Sequence, residues 1–151
     1  MAYRMPAFSG PNEELHYEFI AHLRRDLALP DPSASGRMDE RHQPPIYYLS
    51  AALAGWRHPH PLLDTDLPGN PYYLATPSGN LNPKLHADPQ RLPLLYSARL
   101  TSLFFGLLGL LATYWAALRL ASPQVAVLIA ALLAFNPAWL HLSSVAANDL
   151  P

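Results

Sequence analysis

Two long stretches without a formal charge constrain this chain more than any motif in it. Residues 100–118 read LTSLFFGLLGLLATYWAAL, and residues 120–148 contain no Asp, Glu, Lys or Arg. An α-helix needs about 20 predominantly apolar residues to cross the hydrocarbon core of a bilayer. The first stretch has that length, and the second has it if a helix runs from near Pro123 to Ala146. A helix of a soluble protein shows a polar face, and LTSLFFGLLGLLATYWAAL shows none. The RLASPQ connection is short, and Pro123 suits the first turn of a helix. The pattern predicts a transmembrane hairpin, with spans at 100–118 and 123–147 and a short turn at 119–122. Asn136-Pro137 interrupts the second span, where proline removes a backbone hydrogen bond and bends the helix. Beyond it, AWLHLSSVAAND is milder, and Trp139 suits a membrane interface.

The charges lie elsewhere. Asp149 is the only acid after Asp88, and Arg119 is the only basic residue after Arg99. Residues 1–99 therefore read as a long water-facing loop region. No basic stripe points to nucleic acid, and the absence of cysteine excludes disulfides. A hairpin that crosses twice puts residues 1–99 and 148–151 on one side, where acids near the start can meet Asp149. Lys84, Arg91 and Arg99 precede the first span, so a local positive-inside count favours the cytoplasm for the long segment. That rule weakens for segments beyond about 60 residues.

Within 1–99, Pro11 to about Leu29 is predicted helical. Pro11 fits the first position, Glu13 and Glu14 suit the positive helix start, and Leu15, Phe19, Leu23 and Leu27 recur every fourth residue. PDPSASGRMDER is a loop by composition. A second short helix is expected from Pro44 to about Trp56. Ile46, Leu49 and Leu53 share one face, with Tyr47, Tyr48 and Trp56 as amphipathic aromatics. It is too short to span a bilayer and suits lying in the interface. In HQPPIYY, the two prolines stiffen the helix start and present His42 and Gln43 at a rigid corner. Residues 57–93 hold eight of the 17 prolines and show no periodicity.

Glu13 and His16, three apart, fall on one helix face and can share a metal or a proton. The same spacing also serves a solvated helix start. Asp149 closes the second span, as an interfacial anchor or as a functional acid. The histidines lack a zinc spacing, and no phosphate-cradling glycine loop, nucleophile elbow or Cys-His arrangement occurs.

Taken in order, PNEELHY, HQPPIYYLSAAL, GNLNPKLH, RLTSLFFGLLGLLATYWAAL and AFNPAWLHLSSVAANDL resemble the N-terminal part of the GT-C superfamily. These are multi-spanning membrane glycosyltransferases that use polyprenyl-phosphate-linked sugars, such as protein mannosyltransferases and bacterial envelope-glycan enzymes. The resemblance implies an all-α membrane protein of a bacterial plasma membrane, with a long extracytoplasmic loop and amphipathic interfacial helices before two transmembrane helices, and the 119–122 turn between them in the cytoplasm. It implies that this chain is the N-terminal portion of a longer enzyme and is inactive alone. The family's first acidic pair falls on Asn12-Glu13 and its second acidic motif on Asp149. These would be the catalytic positions, with Glu13 and Asp149 as ligands of a divalent Mg or Mn ion. His16, His42, Gln43, Arg41 and Arg99 would contact the sugar or its phosphate, and Arg91 is a further candidate. Where the family commonly has Asp, this chain has Asn12, which cannot be a carboxylate base. The other readings are a non-catalytic membrane-anchored binding module and a transporter fragment. A transporter wants broken or polar segments at mid-membrane, and Asn136-Pro137 is the one break. An enzyme requires Glu13, Asp149 and a histidine or arginine to converge, and an anchor does not.

Overall fold

Proline stands at the start of four helices in the computed structural model, which describes residues 7, 8, 10, 12–31, 33, 42–58 and 92–147. The helices are α1 (Glu13–Asp26), α2 (Ile46–Ala54), α3 (Pro93–Leu120), α4 (Pro123–Ala134) and α5 (Pro137–Leu142), with no strand among the described residues. Pro93, Pro123 and Pro137 each occupy a first helical position, where the missing N–H costs nothing, and Pro45 caps α2.

α1 begins two residues later than Pro11 and ends at Asp26. It buries His16, Tyr17, Phe19, Ile20 and Leu23. Leu27 leaves the expected stripe. It is the C-cap, left-handed at φ 53°, and 74% exposed. That conformation costs a residue with a Cβ about 1–2 kcal/mol.

α2 differs from expectation in what it hides. Ile46, Leu49 and Leu53 do share one face, but that face points outward, while Tyr47, Tyr48, Ala51 and Ala52 are buried. The tyrosines are core residues because each hydroxyl finds a partner inside. Tyr47 Oη donates to Ala98 O (3.2 Å) and meets Ser102 Oγ (3.0 Å), and Tyr48 Oη meets His16 Nδ1 (2.8 Å). Small residues bring the helices close, since a Cβ on Gly55 would collide with Leu94 Cδ1. Tyr47 lies beside Ser102 and Phe105, whereas Gly55 lies beside Leu94 and Ser97. α2 therefore runs antiparallel along the first turns of α3.

α3 has 28 residues, so it extends about 42 Å at 1.5 Å per residue. Its first turns, from Leu94 to Ser102, are covered by α1 and α2, with Leu100 the exposed exception. Its later turns are bare. The helix is long and apolar enough to cross a membrane, and only 11% of its most apolar 18-residue window is buried. α4 folds back against it, with Ala117 and Ala126 buried between them.

The expected second span is two helices. α4 stops at Ala134, and Asn136 is extended (φ −67°, ψ 122°), as the residue before a proline must be. The Asn136 side chain accepts hydrogen bonds from Ala138 N (2.9 Å) and Trp139 N (3.4 Å) and so starts α5 afresh. The bend expected from proline alone becomes a full break because asparagine supplies the new cap. α5 then comes close to α3 at two glycines, since a Cβ on Gly106 would meet Ser143 and one on Gly109 would meet Trp139. Residues 143–147 do not run on as a span. They are buried, with Val145, Ala146 and Ala147 wholly inaccessible.

Candidate functional site

The site is assembled where the start of α1, the covered part of α3 and the segment after α5 meet. Asn12 takes a left-handed turn (φ 51°, ψ 15°), which asparagine tolerates, and this turn sends Glu13 inward. Glu13 and Arg99 are both completely buried. Arg99 donates from Nε to Glu13 Oε1 and from Nη2 to Oε2, each at 2.8 Å. Glu13 Oε1 also accepts from the backbone N–H of Ala146 at 2.8 Å. One carboxylate thus ties together segments 86 and 133 residues away in sequence. Bidentate charge-assisted bonds of this kind are about twice as strong as neutral ones. They also offset the several kcal/mol per ion that burial costs. The Arg99 guanidinium lies over the Tyr96 ring, 5.4 Å from its centroid.

A second layer holds the same segment. Ser102 Oγ reaches Ala98 O (3.3 Å) and Ala147 O (3.5 Å) and meets the Tyr47 hydroxyl. Burial pushes the Tyr47 phenol well above its ordinary value, the nearby Glu13 charge adds to this, and the Ser102 hydrogen bond opposes it. Burial likewise raises Tyr17, against the pull of Arg24. Tyr48 stacks on Phe19 (centroids 3.9 Å apart, 6° between planes) and fixes the ring that meets His16.

Glu13 and Arg99 are in direct contact, and His16 is buried one turn along α1. Asn12 is exposed beside them. His42 is exposed and Gln43 half-buried in the turn entering α2. Arg41, Arg91 and Asp149 lie outside the described residues, as do the expected segment 148–151 and residues 59–91 of the proline-rich stretch. Ala146, three residues before Asp149 in sequence, is the described residue of this segment that bonds to Glu13. Sequence reasoning put Arg99 on a substrate phosphate and overlooked Tyr47, Ser102 and Ala146. A lone cation at the border of an apolar span wants a partner, and that signal was available for Arg99.

A divalent cation does not fit at Glu13. Both oxygens are engaged by a guanidinium at 2.8 Å, which would repel a cation, and the third bond comes from a backbone N–H. No group of three or more potential metal ligands occurs among the described residues. No family model, curated protein or solved structure matches the chain.

Proposed function

We propose that this chain is part of a membrane-embedded glycosyltransferase of the GT-C type, which moves a sugar from a polyprenyl-phosphate carrier to an acceptor hydroxyl at the extracytoplasmic face. In this reading α3 and the α4–α5 pair are a re-entering hairpin of two spans, and the long segment before them stands outside the membrane. The observation that carries the reading is the bond from Ala146 N–H to Glu13, because it draws the α1 start and the approach to Asp149 together. A membrane anchor has no need of that meeting.

The roles follow from what each group has left to offer. Glu13, saturated by Arg99 and Ala146, is a positioning residue that fixes the α1 start against residues 145–147. The proton acceptor is then Asp149, whose carboxylate takes the acceptor hydroxyl proton as oxygen attacks the anomeric carbon and the lipid phosphate departs. Arg99, paired with Glu13, leaves the departing phosphate to Arg41 and Arg91. Asn12, exposed at the turn, is a hydrogen-bonding group for the sugar, and His16, His42 and Gln43 are the further sugar contacts of this reading. A non-catalytic membrane module is the second reading, favoured by the saturation of Glu13 and by Asn at position 12.

Sugar transfer from a radiolabelled lipid carrier in membranes containing the full-length protein separates the two. Asp149→Asn is expected to abolish transfer with the protein still folded, and Glu13→Gln to lower transfer and stability together. Transfer unchanged by Asp149→Asn would remove the proposed acceptor.

A further inference from the structure

The break between α4 and α5 lies at mid-height in the bare part of the molecule, and it is polar. Trp139 packs beside Gly109 of α3, and Ala126 is buried between the helices with Ala117. Asn136 falls between Ala126 and Trp139 in sequence, so it stands between the levels of Ala117 and Gly109. The bare part of α3 runs from residue 103 to residue 120, about 27 Å at 1.5 Å per residue. On the same rise Gly109 is about 9 Å and Ala117 about 21 Å from Leu103. Asn136 is thus well inside the stretch that the span reading puts in hydrocarbon, which is about 30 Å thick.

The break leaves specific groups unused. In an unbroken helix the N–H groups of Ala138 and Trp139 would bond to Ala134 O and Phe135 O. Here Asn136 Oδ1 takes both. Among the described residues no N–H reaches those two carbonyls, and the Asn136 amide nitrogen meets no acceptor. Asn136 is exposed, and Leu132 and Phe135 beside it are 68% and 80% exposed. Two acceptors and a donor therefore share one outward face. Lipid tails satisfy neither kind, and irregular backbone at membrane depth is tolerated only against protein or a water-filled cavity. We infer that the α4–α5 break is an interface with a second copy of this chain, paired across a two-fold axis along the membrane normal. The break is complementary to itself. The Asn136 amide of one copy donates to the Ala134 or Phe135 carbonyl of the other, and the two-fold returns the same bond. Leu132 and Phe135 close around the polar pair. Asparagine bonding across helices is a known means of association in membranes, and a partner helix with an apolar face would leave every one of these groups unsatisfied. The interface rests on the reading of α3 as a membrane span.

The chain has no cysteine, so single cysteines report directly. Phe135→Cys and, as a control about 12 Å from Leu103 along α3, Leu111→Cys are reconstituted separately as full chains in phosphatidylcholine vesicles at low protein density. Under mild oxidation Phe135→Cys is expected to form a disulfide-linked dimer well above the collision level set by Leu111→Cys. Both thiols are expected to resist a membrane-impermeant maleimide. Adding Asn136→Gly, which removes the amide at little cost to the helix cap, should lower the cross-linking about tenfold. If Phe135→Cys is shielded but cross-links no better than Leu111→Cys, or if Asn136→Gly changes nothing, the self-pairing is overturned. If maleimide reaches Phe135→Cys and not Leu111→Cys, a water-filled cavity covers the break, so the interface is overturned and the span stands. If maleimide reaches both, the span reading fails and the interface with it.

Discussion

Leu94 and Leu95 are fully buried at the start of α3, while Leu107, Leu111 and Trp115 further along the same helix are 53%, 43% and 67% exposed. The two regions use the same residue types in opposite senses. In the head, formed by α1, α2, the first turns of α3 and residues 143–147, large side chains face inward around a polar centre. In the hairpin they face outward, and the buried positions are small: Gly106, Ala117 and Ala126. The head is organised as a protein in water is, with its ions paired. The hairpin has the pattern of helices packed in lipid, where small residues let backbones approach.

Four changes would break or sharpen that contrast. The largest effect is expected in the head. Arg99→Met leaves Glu13 charged and buried, and its cost should be about 3–5 kcal/mol by denaturant unfolding in micelles. The double change Glu13→Leu/Arg99→Met should recover most of the loss. If Arg99→Met costs no more than Leu107→Ala, the head has no polar centre worth the name. In the hairpin, Leu111→Asp should leave head stability unchanged but make membrane insertion less favourable by about 2.5–3.5 kcal/mol, measured with an insertion reporter.

The third change concerns pH. Tyr47 and Tyr17 ionise less readily in the folded chain than their ordinary 10.0. Folded stability is therefore intact below pH 10.0 and falls above it, because the unfolded chain then gains by losing those protons. Tyr47→Phe should flatten that alkaline decline in a pH series of thermal melts, at the expense of its bonds to Ala98 and Ser102. The smallest effect belongs to Leu27→Gly, which relieves a left-handed leucine and should add about 1 kcal/mol to stability in micelles.

The sequence carried the helices well where the signal was local. Proline marked the starts of α2 and α4, the charge-free run marked the later part of α3, which begins seven residues before the expected 100 at Pro93, and Asn136-Pro137 marked an interruption that is a full break. Periodicity also grouped Ile46, Leu49 and Leu53 correctly. It could not say which side of α2 was inside, because that depends on α3 offering Ala98 and Ser102 to Tyr47, some 50 residues away. The burial of residues 143–147 was hidden for the same reason: serine and alanine read as a mild span end until Glu13 and Ser102 are seen to bind their backbone. The Glu13–Arg99 pair is a tertiary event that no spacing along the chain encodes. Glu13, His16 and Arg99 were nameable one by one, but Ser102, Ala146 and the partnerships among them were not.

The account depends on the α1 start and the segment after α5 lying together. Gly10 and Val145 are in contact across that junction, and the chain has no native cysteine. The double variant Gly10→Cys/Val145→Cys in membranes of the full-length protein should form an intramolecular disulfide under mild oxidation, seen as a reductant-sensitive shift in mobility. Two thiols that never join, and that an impermeant maleimide reaches from opposite faces of the membrane, would contradict it.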